Sequence, residues 1–91
     1  MSKAFAVDSD DFKHYIANIR TRMSRIVLDE TQRVEANADL STIEAQTLSG
    51  NPDIRVVRAC MISLQNILEA VSNDPHSTAT LSLVSLWLWK N

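Results

Sequence analysis

Apolar residues recur along three stretches of the chain at the alternating three- and four-residue steps that mark one face of an α-helix. In residues 54–71 the stripe is Ile54, Val57, Met61, Leu64, Leu68 and Val71, with Val56, Cys60 and Ile67 widening it. Arg55, Arg58, Gln65 and Glu69 give this segment its polar edge. A helix so apolar needs cover from several sides, so the pattern predicts the central helix of a small bundle. In the first third, Phe12, Ile16, Ile19, Met23 and Ile26 repeat at the same spacing, with Tyr15 and Val27 beside them. The last stretch, residues 75–89, imitates a strand where Leu81 and Leu83 alternate with serines. Alternation fails at Leu83-Val84, however, and Thr78, Ser82 and Ser85 share one helical face, so a helix is predicted there too.

Capping residues set the expected boundaries. Asp8 is placed as an N-cap, with Asp10 and Asp11 favouring the positive helix end and Val7 set to close a hydrophobic staple on Phe12. Beyond Leu28 the stripe thins, yet DETQRVEA is a good helix former and Asp29 and Arg33 have the spacing of an ion pair. The first helix is therefore extended over 9–36, with its second half projecting beyond the core or meeting a partner. Asn37 to Leu40 interrupts the pattern. Ser41 and Glu44 then read as a capping box, with Leu40 as staple, for a short helix over 41–49 that Gly50 ends in a left-handed cap. Asn51-Pro52 and Asp74-Pro75 each combine a cap with proline at the first helical position, starting helices over 52–72 and 75–89. The expected fold is all-α, a small irregular four-helix bundle of three long helices and one short. It forms a single domain over 1–91, with a flexible leader over 1–7, and is dimeric.

Composition narrows this picture without changing it. One glycine and two prolines favour long helices over a turn-rich β fold. A hydrophobic fraction of 45% against 22% charged is that of a globular chain, and a net charge of −2 gives no global pull toward nucleic acid or anionic membrane. The single Cys60 excludes an intrachain disulfide and fits a reducing compartment. The apolar run in MSKAFAVDSDD is too short for a secretory signal, and no run approaches the ~18–20 residues that span a bilayer. The expectation is a cytoplasmic protein with no membrane association.

Chemistry has little to build on. His14 and His76 stand in no metal-ligand spacing, and Cys60 reads as an inert core cysteine. The pairs Asp10–Asp11 and Asp29–Glu30 are adjacent, so on a helix their carboxylates diverge by about 100°. No phosphate loop, dinucleotide fingerprint or CxxC is present. No enzyme, catalytic residue, cofactor or metal is expected.

Two binding readings remain. The C-terminal segment carries Leu83, Leu86, Trp87 and Trp89, more apolar surface than one neighbouring helix can cover, and tryptophans favour interface anchors. This reading makes the chain a non-enzymatic interaction module, a small regulator, adaptor or chaperone, pairing with itself as a homodimer and with another protein. The alternative starts from a basic island. Between Asp11 and Asp29 lie Lys13, Arg20, Arg22 and Arg25 with no acid. Joined by Arg55 and Arg58 near the start of a helix that follows a Ser49-Gly50-Asn51-Pro52 turn, they outline a helix-turn-helix nucleic-acid binder.

Overall fold

The computed structural model describes residues 6–90, and residues 1–5 of the expected leader lie outside them. Four helices follow in order: α1 (Asp10–Met23), α2 (Glu30–Thr47), α3 (Ile54–Ala70) and α4 (Pro75–Lys90). They are of comparable length, so the expected division into three long helices and one short is replaced by four near-equals.

The largest correction concerns the expected helix over 9–36, which breaks at residues 24–29. Asp29 is the cap of a new helix. Its carboxylate accepts the Gln32 N–H at 2.7 Å while the Gln32 side chain accepts the Asp29 N–H at 3.0 Å, a complete capping box. Arg33 closes the joint. Its guanidinium donates to the carbonyls of Met23 (2.8 Å) and Ile26 (2.7 Å), at and just past the end of α1, where Met23 otherwise accepts only the Ile26 N–H of the closing turn. Arg33 is therefore spent on the end of α1 instead of pairing with Asp29. The turn also keeps Ile26, 1% exposed, in the core after α1 has stopped.

The expected break at Asn37 to Leu40 is absent. Ala36, Leu40, Ile43 and Thr47 form one buried stripe, with steps of 4, 3 and 4, straight through it. Ser41 and Glu44 are thus mid-helix residues and not a capping box. Gly50 has no positive φ, and α2 ends with Leu48 in the right-handed region. The start of α1 is capped by Ser9, whose hydroxyl accepts the Phe12 N–H at 3.1 Å, in place of Asp8. Val7 is buried and joins the same core cluster as Phe12. Asn51-Pro52 precedes its helix by a turn, and Asp53 caps α3. Asp74-Pro75 does begin α4, the Asp74 carboxylate accepting the His76 N–H at 2.9 Å.

Each helix packs on two others, in the cycle α1–α2–α3–α4–α1, with α1 diagonal to α3 and α2 to α4. No helix is central, and α3, expected in that place, has two neighbours like the rest. Extents of 35 × 27 × 19 Å fit two layers of two helices. Hydrogen bonds and charge contacts fix the directions. Arg20 meets Glu44, Asp39 faces Cys60 and Ser63, Gln65 meets Ser85, and Tyr15 meets Leu83. In every seam the numbers rise on one helix as they fall on the other, so all four neighbouring pairs are antiparallel.

The core joins Phe12, Ile16, Ile19 and Met23 of α1 to Leu40 and Ile43, to Val57, Met61, Leu64 and Leu68, and to Val84 and Trp87. The buried hydroxyls are satisfied locally: Ser77 donates to the Leu68 carbonyl and Thr80 to that of His76, each at 2.7 Å. Tyr15 donates its O–H to the Leu83 carbonyl at 2.6 Å, across the α1–α4 seam.

Burial raises the Tyr15 pKa above its ordinary value. The folded state therefore keeps this proton where the unfolded chain releases it. Stability is expected to fall above about pH 10 by up to about 1.4 kcal/mol per pH unit from this group. Tyr15→Phe should lose about 1 kcal/mol at neutral pH, where the hydrogen bond is intact, and flatten the alkaline slope. Urea midpoints between neutral and alkaline pH, compared for the two proteins, check both signs.

Candidate functional site

Helix α4 differs from the other three in having no Asp, Glu, Lys or Arg from Pro75 to Trp89. Its inner face, Ser77, Thr80, Val84 and Trp87, is buried. Ser85 turns toward α3, where Gln65 donates to its hydroxyl at 3.2 Å, and Leu83 lies half-buried on the α1 side. Opposite the core, Pro75, Thr78, Ala79, Ser82, Leu86 and Trp89 are exposed. Trp89 is 85% and Leu86 52% exposed.

The outward face of a bundle helix ordinarily carries charge, because that face meets water. This one carries hydroxyls, small side chains and two large apolar ones. Large apolar side chains on such a face, when they stand together, mark a surface suited to contact with another molecule. Beside it on α3, Ile62 is 42% exposed. The Gln65–Ser85 bond sets the register, and one turn back toward the start of α3 it brings Ile62 level with the end of α4 that carries Leu86 and Trp89.

The four candidate residues of this segment thus separate. Leu86 and Trp89 share the outer face. Leu83 belongs to the α1–α4 seam. Trp87 is 1% exposed, its ring 5.8 Å from that of Phe12 at 45°, and burial makes it part of the fold instead of a docking face. Ile62 falls outside both apolar sets of α3, on the helix side between Arg55 and Glu69. That misfit was the available signal.

Other exposed apolar residues lie off the α4 face. Val27 sits in the α1–α2 connection, Val34 near the start of α2, Leu48 at its end and Ile54 at the start of α3. Single residues of this kind are usual on protein surfaces.

The basic residues do not converge. Arg20, Arg22 and Arg25 stand at the C-terminal end of α1, and Arg55 and Arg58 at the N-terminal end of α3. Because α1 and α3 run the same way on a diagonal, these are opposite ends of the bundle, roughly 20 Å apart at 1.5 Å per residue. Arg20 pairs with Glu44 at 2.8 and 3.0 Å, and Arg55 with Asp53 at 3.2 Å. A helix-turn-helix needs its two helices to cross at about 90–120°. Here α2 and α3 stay in contact from Gln46–Asp53 to Asp39–Ser63, as an antiparallel hairpin.

A cleft of about 410 Å³ opens between Arg20, Met23, Ser24, Arg33 and Asn37. Both of its guanidinium groups are already engaged, with Glu44 and with the α1 carbonyls. His14 and His76 are exposed on different helices. Cys60 is half-buried, its thiol pKa raised first by burial and then by the Asp39 carboxylate, which disfavours the reactive thiolate. Among the described residues no group of three His, Cys, Asp or Glu is placed to hold a metal ion, and no helix is long and apolar enough to cross a membrane.

The fold and surface define a class of molecule, an up-and-down four-helix bundle with one helix face left uncharged and uncovered. Comparison with protein-family models, with curated proteins and with solved structures returns no match.

Proposed function

We propose that this bundle is a protein-docking module, a small regulator or adaptor that works by laying the outer face of α4 against another helix. The observation that carries the reading is the uncharged stretch from Pro75 to Trp89, whose outward side ends in Leu86 and Trp89. Ile62 widens the apolar end. Helix-on-helix docking uses anchors of this kind, spaced three and four residues apart along one face. Trp89 supplies the large ring that interface centres favour.

Hydroxyl-radical footprinting in the cell that makes the protein tests the reading. Trp89 should be oxidised several-fold more slowly there than in the dilute purified chain, with exposed His14 as the internal reference.

A further inference from the structure

The outer face of α4 has a direction. Its first half offers Pro75, Thr78, Ala79 and Ser82, all small or compact, and its second half offers Leu86 and Trp89. The face is therefore complementary to itself when reversed. A second copy turned end for end about an axis through Ser82 sets Trp89 against the partner's Pro75 and Leu86 against the partner's Thr78 and Ala79. Bulky side chains meet small ones at both ends, and the helix dipoles run antiparallel. A parallel pairing would instead press Trp89 on the partner's Trp89 and leave the small halves apart.

We infer that the occupant of this face is a second copy of the chain, held in an antiparallel two-fold α4–α4 pair centred on Ser82. This rests on the docking reading above and names its partner. Such a contact is isologous, the commonest form of homodimer. With only small residues at its centre, the two helices can approach closely. At about 9–10 Å between axes, with each Cα about 2.3 Å from its own axis, the Cα atoms facing each other on the two-fold lie roughly 4.4–5.4 Å apart, within the ~4.4–6.8 Å reach of a disulfide. A seam based on one helix about 24 Å long is modest against the ~1,200–2,000 Å² of a standard interface, so the pair is concentration-dependent.

Sedimentation equilibrium of the purified chain, with and without Ser82→Glu, makes the first test. The native chain should move from the mass of one chain to that of two as concentration rises. Ser82→Glu sets two carboxylates face to face on the axis and should stay at one. Glutamate is a better helix former than serine at this exposed position, so an unchanged helical spectrum and urea midpoint will show that folding is intact. Oxidative cross-linking on a Cys60→Ser background fixes the direction. Ser82→Cys should link to its own copy. A mixture of Thr78→Cys and Leu86→Cys chains should form the mixed dimer, and Leu86→Cys alone should not link.

Efficient linking of Leu86→Cys to itself overturns the antiparallel arrangement. A native chain that stays monomeric at every concentration overturns self-pairing. If Trp89 is still shielded in the cell, the docking reading stands with a different protein as occupant; if it is not, both readings fall together.

Discussion

Trp87→Ala is expected to lower the stability of the bundle by about 3–5 kcal/mol, the usual cost of emptying a large aromatic site in a core. The indole is enclosed by the chain itself, at 1% exposure, and tilts against Phe12 with ring centres 5.8 Å apart. It packs where α1 meets α4, and Phe12 links it onward to Tyr15, again at 5.8 Å. Removing it opens a void that helices on either side close only in part. Small domains hold about 5–15 kcal/mol in total, so this one change should take most of the margin. Trp89→Ala, the same chemistry two residues on, removes a side chain that is 85% exposed and should shift stability by no more than about 0.5 kcal/mol. Urea unfolding of the two variants separates the residue that holds the fold from the residue offered to a partner. Equal losses would contradict that division.

Arg33→Met should cost about 2–3 kcal/mol, from two charge-assisted hydrogen bonds that solvent partly screens. The guanidinium spans the Met23 and Ile26 carbonyls at 2.8 and 2.7 Å and ties the turn between α1 and α2 to the body of α2. Methionine keeps much of the length and the apolar stem but leaves the Ile26 carbonyl to water and the Met23 carbonyl with only its turn bond from the Ile26 N–H. Lysine should not restore the loss, because a single ammonium lacks the planar fork that reaches two acceptors at once. Hydrogen exchange should accelerate at residues 20–29 in both variants and leave α3 unaffected. Uniform acceleration over all four helices would mean that Arg33 acts on global stability and not on this joint.

Much of the bundle was legible in the pattern. The buried set Phe12, Ile16, Ile19 and Met23, and the set Val57, Met61, Leu64 and Leu68, both follow from helical spacing. Burial of an apolar stripe is a local signal. The boundary between α1 and α2 was not legible in the same way, although Asp29 and Gln32 have the spacing of a capping box. DETQRVEA is good helix whether it continues a helix or begins one. The decision rests on Ile26 staying in the core and on Arg33 reaching back to α1, both tertiary effects. The stripe of α2 escaped notice because Ala36 and Thr47 are weak markers of a core face. Proline was a sound marker at Asp74-Pro75 and an early one at Asn51-Pro52, where the Asp53 carboxylate accepts the Arg55 N–H at 2.9 Å and fixes the start of α3 two residues later.

At the candidate face, composition marks out α4 without resolving its sides. The four apolar residues near the C-terminus were read together, and the fold assigns them three different places. Trp87 goes inward, Leu83 to a seam, and Leu86 and Trp89 outward. Helical periodicity separates such sides only when polar residues mark the outside. On α4 the outside is marked by serine and threonine, which suit either environment when their hydroxyls bond back to the helix. Ser82 does this with the Thr78 carbonyl at 3.3 Å. The basic island is a different case. Its two halves lie far apart in sequence, and only the up-and-down topology reveals that they occupy opposite ends.

The central claim is that the outer face of α4 is covered when the protein works. The oxidation rate of Trp89 relative to His14, measured by radical footprinting in the living cell and in the dilute purified chain, tests it most directly. Both side chains are exposed in the isolated bundle, and the ratio cancels differences in radical dose. The account predicts a several-fold fall of that ratio in the cell. An unchanged ratio would mean that the indole faces water in both settings, and that this uncharged face serves no partner.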